Sequence, residues 1–175
     1  MKRGDTWISS VLYILLGLIV ISILLASFLP LIDKMKDKNT FIQTKVLMSG
    51  LDDTIKETLE GVGSQREFFL DIQKGEFQID SDKEEIRWKL FTKARLLEPK
   101  VDDEKNVFKE GDLTVFADTS EGYALNVVLN YGKINIDLDT KPKILNLKGQ
   151  SKLIIKNEGK DDSKTIISIN STASF

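Results

Sequence analysis

Hydrophobic positions along this chain follow three regimes. From Thr6 to Ile32, TWISSVLYILLGLIVISILLASFLPLI, 27 residues pass without one charge. A helix of that length covers roughly 40 Å, more than the ~30 Å hydrocarbon core of a bilayer. Charged side chains are costly inside lipid, so their absence over this length predicts a transmembrane helix. Burying the same run in a soluble core would need a larger domain than 175 residues supply.

Past Pro30 the pattern turns amphipathic. Ile32, Met35, Ile42 and Val46 recur at three-, seven- and four-residue steps, with Asn39 in the missing place of the stripe. Leu51, Ile55 and Leu59 continue it, shifted a little around the axis, while Lys, Asp and Glu cover the rest. The spacing predicts one long helix over residues 5–60, with the span at about 6–32. Pro30 removes one backbone hydrogen bond and bends the axis, or it marks the exit from the bilayer with helix resuming after it. Gly50 is the weakest interior position. Residues 61–65 follow as a linker, whose Gly61-Val62-Gly63-Ser64 lacks the Gly-Lys-Ser/Thr ending of a phosphate loop.

From Arg66 the period changes to two. Phe68, Leu70 and Ile72 alternate with Phe69, Asp71 and Gln73, and Lys74-Gly75 predicts a turn into Phe77 and Ile79. Further alternations run through Ile86, Trp88 and Leu90; Leu113 and Val115; Tyr123, Leu125, Val127, Leu129 and Tyr131; and Ile134, Ile136 and Leu138. Pro142 ends that strand. Leu145 with Leu147, Leu153 with Ile155, and Ile167 with Ile169 across a turn at 157–162 complete eight or nine short strands. The fold class expected is α+β: a long N-terminal transmembrane helix, then an all-β antiparallel sandwich over residues 66–175.

Composition narrows the chemistry. The chain has 25 basic and 27 acidic residues, a net charge of -2, and neither cysteine nor histidine. Disulfides, thiolate nucleophiles, the usual zinc sites and imidazole catalysis are therefore absent, and no global charge draws it to nucleic acid. Asp80, Asp82 and Glu84 open like a calcium loop, but Glu85 and Phe91 stand where such a loop needs Gly and Glu. These, like Asp102, Asp103 and Glu104, read as solvated turns. No cofactor, metal or enzymatic activity is expected. Trp88 alternates inward toward a core. Trp7 and Tyr13 suit an interfacial belt, and the sequon Asn170-Ser171-Thr172 offers a glycosylation acceptor at Asn170. Ser10, Gly17, Ser22 and Ala26 are small residues that permit close helix packing.

The head of the chain, Met1-Lys2-Arg3-Gly4-Asp5, admits two readings. A removable secretory signal would need a shorter apolar run and a small residue where Leu24 stands, three positions before Ser27. Retained, the stretch resembles the processing site of type IV pilins, archaeal ones in particular, in which a peptidase cuts after a glycine preceded by basic residues. The resemblance implies cleavage between Gly4 and Asp5, leaving 1–4 as a leader. Ser9 stands where bacterial pilins carry Glu, which sets this chain apart from the bacterial subgroup. It further implies a β-sandwich head outside the cell, a filament core of bundled N-terminal helices, and as partners membrane lipid, copies of itself, a prepilin peptidase and pilus assembly machinery. The alternative is a single-pass anchored surface protein, an adhesin, envelope or minor pilin-like component, that never polymerises.

Overall fold

The molecule is described by a computed structural model over residues 3–101, 106–120, 122–161 and 163–173. Its first element is the helix α1, Arg3–Thr58, 56 residues and about 84 Å of axis. The helix runs uninterrupted through Pro30 and Gly50. Gly50 is therefore no break: it lies against the Phe68 ring, which an added Cβ would approach to 3.6 Å. The end falls two residues before the expected boundary. There the Thr58 hydroxyl donates back to the carbonyls of Thr54 and Ile55, and buried Asn157 donates its side-chain amide to the Thr58 carbonyl at 3.0 Å. Those contacts satisfy acceptors that a helix terminus leaves open.

Eight strands follow: β1 (Gln65–Asp80), β2 (Glu85–Phe91), β3 (Val107–Glu110), β4 (Leu113–Asp118), β5 (Ala124–Asn130), β6 (Ile136–Thr140), β7 (Ile144–Asp161) and β8 (Lys164–Ala173). They form one curled sheet in the order β3-β4-β5-β2-β1-β7-β8-β6. Six pairings are antiparallel, and β6 joins β8 in parallel. The helix-plus-β-head architecture stands, while the expected all-antiparallel layout is corrected to a mixed one. The parallel pair arises because β6 meets β8 at the sheet's edge, with no hairpin joining them.

Two expected turns are strand. Lys74-Gly75 does not reverse the chain; β1 runs straight through it with a register shift against β7 between Ile72 and Phe77. Gly75 has φ +93° there, and a Cβ would stand 2.3 Å from the Lys89 carbonyl oxygen, so only glycine fits. Residues 157–161 likewise stay in β7, with a bulge between Asn157 and Gly159. The period-two positions do face inward: Leu70, Ile79, Ile86, Trp88, Leu129, Leu153 and Ile169 are all buried in one core. Trp88 packs edge-on to Phe77 at 5.7 Å and donates to the Lys74 carbonyl at 3.0 Å. Ile134 is the exception, exposed in the turn before β6.

Candidate functional site: the outer face of the long helix

Beyond the apolar run, α1 crosses the inner side of the sheet and shows it one face only. Phe41, Thr44, Met48, Leu51 and Ile55 recur at three- and four-residue steps and point into the head, the last three with no exposed surface. Full burial of each such side chain is worth roughly 1.5–3 kcal/mol. Polar contacts fix the helix to the head at three levels: Asp37 pairs with Lys74 and accepts from the Thr92 hydroxyl, Lys45 pairs with Glu110, and Lys56 pairs with Asp52 and Asp112.

The lowest of these clamps runs from buried Tyr131 and Asp52 out to exposed Lys56 and Asp112. The Tyr131 hydroxyl donates to Asp52 Oδ1 at 2.9 Å, and Lys56 donates to Asp52 Oδ2 at 2.7 Å. Burial, with the Asp52 charge beside it, pushes the Tyr131 pKa up, so the phenol stays a donor. Hydrogen bonds to Asp112 and Asp52 raise that of Lys56 despite its partial burial. At Asp37 burial alone would raise the pKa, but the bonds from Lys74 and Thr92 prevail and lower it.

The opposite face carries Ile32, Met35, Ile42 and Val46, which are 44, 59, 48 and 66% exposed. At about 100° per residue they lie diametrically across the axis from Met48 and Ile55, in line with exposed Leu24 and Phe28 of the span. The apolar stripe therefore continues some 21 Å past Ile32, to where Ser49, Asp53 and Glu57 replace it. Grooves flank Ile42 and Val46 on both sides, one of about 410 Å³ floored by Leu47 and Trp88, the other of about 550 Å³ beside Gly50 and Leu113. Ile32, Met35, Ile42 and Val46, interrupted by exposed Asn39 and bordered by such clefts, form an uncovered apolar face.

The sequence had joined Ile32, Met35, Ile42 and Val46 to Leu51, Ile55 and Leu59 as one stripe. The structure divides them: the first four face outward, while Leu51 and Ile55 face the head. The readable signal was the five-residue step from Val46 to Leu51, which turns the stripe about 140° around the axis, together with Thr44 and Met48 in phase with Leu51.

The other singled-out residues are dispersed. From Ser9 to Ile32 the apolar stretch is exposed all round; its most hydrophobic 18-residue window has mean hydropathy 2.8 and no buried residue. Trp7 and Tyr13 are exposed there, as are Ser10, Gly17, Ser22 and Ala26. Nothing lies within 4 Å of a Cβ added at Gly17, and Ser22 returns its hydroxyl to the Leu18 carbonyl at 2.7 Å. Gly4 and Asp5 belong to the first turn of α1. Asn170 is exposed in β8, opposite Ile154.

Asp80 is spent on its own turn, accepting the Asp82 and Lys83 amides at 3.1 and 3.2 Å. Glu84 turns away from it to accept the Leu138 amide at 2.7 Å beside Asp137 and Lys164. No cluster of three potential metal ligands forms among the described residues. Asp102, Asp103 and Glu104 lie outside the described residues.

No protein-family model matches this chain, and no curated protein or solved structure is similar to it.

Proposed function

We propose that this chain is a membrane-inserted structural subunit that assembles with copies of itself through α1, as the archaeal pilin-like proteins resembled by its opening do. One observation carries the reading: the apolar stripe of the span continues through Ile32, Met35, Ile42 and Val46 on the side of α1 that the head leaves bare. A plain anchor needs apolar surface only within lipid. Here apolar surface outlasts the uncharged run by about four helical turns, and its exposure to water is unfavourable until something covers it.

A second copy of the helix is the matching cover. Its own stripe has the same length and character, the small residues Ser10, Gly17, Ser22 and Ala26 allow close approach within the span, and the two flanking grooves accept neighbouring ridges. In this reading lipid holds the subunit first. A prepilin peptidase trims Met1–Gly4 at the Gly4–Asp5 bond, and assembly machinery then trades lipid for sister helices, leaving the head on the outside of a cell-surface filament.

The test is electron microscopy of the full chain in its native membrane and after reconstitution, with the double variant Ile42→Lys/Val46→Lys alongside. Filaments in the wild type, lost in the variant while its head melts within a few degrees of the original, are expected. Dispersed monomers in the wild type overturn the proposal in favour of a non-polymerising anchor.

A further inference from the structure

We infer that the end of the head nearest the span rests on lipid headgroups, and that Lys93 and Arg95, with Lys34, Lys36 and Lys38 of α1, bind an anionic bilayer surface. The inference depends on residues 6–32 being a retained membrane span.

The distance follows from the helix. Asp37, which Lys74 and Thr92 hold, is five residues beyond Ile32, about 7.5 Å along the axis. The headgroup layer occupies roughly 5–7.5 Å on each side of the hydrocarbon core. A head attached at Asp37 therefore meets that layer, and any tilt of the helix lowers one edge further into it.

What the head places there is a fixed loop. Thr92 is tied to Asp37, the Ala94 amide donates to Thr92 Oγ1 at 3.0 Å, and Leu97 exchanges two hydrogen bonds with the Tyr123 hydroxyl at 2.8 and 2.7 Å. Ala94 is buried, and its neighbours Lys93 and Arg95 stand exposed on either side. Lys34, Lys36 and Lys38 occupy the adjoining turns of the helix, also exposed. None of these five cations makes an ion pair among the described residues.

Among the described residues the opposing charge at this end is small. Asp37 is answered by Lys74, Asp118 is bound by the amide and hydroxyl of Ser120, and Asp33 and Glu98 remain. Phe91 and Tyr123 line the open groove, about 640 Å³, that Asp33, Lys36 and Lys93 border. Cations beside aromatic rings at headgroup depth suit a phosphate-bearing interface. The shared chemistry is anionic phosphate, and the continuity of the site with the span selects the bilayer as its source.

The experiment reconstitutes the full chain into neutral phosphatidylcholine vesicles and into vesicles containing phosphatidylglycerol, then follows amide hydrogen exchange over residues 92–98. Exchange about threefold or more slower on the anionic vesicles is expected, abolished by molar salt and by the double variant Lys93→Gln/Arg95→Gln. Amides near Ser81 and Lys143, remote from this loop in the sheet, are expected to exchange equally on both. Equal exchange over 92–98, in a chain that floats with both vesicles, overturns this inference alone. Failure to float with either overturns the membrane reading itself. The same protection from inorganic phosphate on neutral vesicles overturns the bilayer as the ligand.

Discussion

Two faces of one helix, a few ångströms apart, meet opposite fates in this molecule. On one, Met48, Leu51 and Ile55 have lost all contact with water, and Asp52 and Lys56 are bound by groups more than fifty residues away in the chain. On the other, Ile42 and Val46 stand exposed in the turns just before them along the axis. Both faces are apolar, so hydrophobicity alone does not distinguish them. What does is polar registration: the head-facing side has a carboxylate, ammonium or hydroxyl at each level to fix its orientation, whereas Ile32, Met35, Ile42 and Val46 on the outer side are apolar and uncovered. A face saturated within the chain supplies stability. One left unsaturated is available to another molecule.

The largest expected effect contrasts the two directly. Leu51→Ala removes fully buried atoms and leaves a cavity, a loss of about 2–5 kcal/mol, read as a lower denaturation midpoint of the head. Val46→Ala, equally conservative in chemistry, is expected to change stability by under about 0.5 kcal/mol while weakening assembly. Equal losses of stability from both would mean that the outer face is packed within the chain after all.

Next comes Gly75→Ala. The added methyl would meet the Lys89 carbonyl at 2.3 Å in a residue at φ +93°, so β1 and β2 must part beneath Trp88. Left-handed strain costs on the order of 1–3 kcal/mol, and the collision adds to it. A lower melting temperature with a changed near-ultraviolet tryptophan signal is expected; an unchanged melt would show the bulge to be pliable. The residue also marks how far the sequence could be read. Alternation located nearly every buried strand position, because one side of each strand meets the core and the other meets water. It could not tell a glycine that turns the chain from one that bulges it, since both need the same backbone freedom. Whether β1 continues is decided by β7, some seventy residues away, and no local pattern records that partner. The helix shows the same limit. Its length and apolar run were plain in the residues, but which stripe faces the head was fixed by Lys74 of β1, Glu110 of β3 and Tyr131 just after β5, all distant in the chain.

Tyr131→Phe probes the polar side of the head-facing surface with less force. It deletes one buried hydroxyl bond to Asp52 while Lys56 continues to hold the carboxylate, so a loss of about 1–2 kcal/mol is expected from urea denaturation. Combining it with Asp52→Ala should give less than the sum of the single effects, because the two changes remove the same bond. Strict additivity would show that the phenol and the carboxylate do not act together.

The smallest effect lies away from the helix and controls for it. Burial first, then the hydrogen bond and charge of Asp137, raise the pKa of Glu84 above the ordinary glutamate value, against the lowering influence of the Leu138 amide and Lys164. The folded state therefore holds this proton more tightly than the unfolded chain does. The resulting stability is fully present below the unfolded pKa and is lost as pH rises through the folded one. At pH 7 the ionised Glu84 carries a net cost. Glu84→Gln keeps an oxygen for the Leu138 amide and supplies a neutral donor toward Asp137, at the expense of the 3.4 Å contact with Lys164. Thermal melts between pH 4 and 8 should show a flatter slope than the wild type, with a change at pH 7 of under about 1 kcal/mol and filament formation untouched. Loss of assembly in this variant would contradict the division of labour between the faces of α1, because among the described residues the Glu84 side chain bonds to β6 and β8 and contributes nothing to the outer stripe.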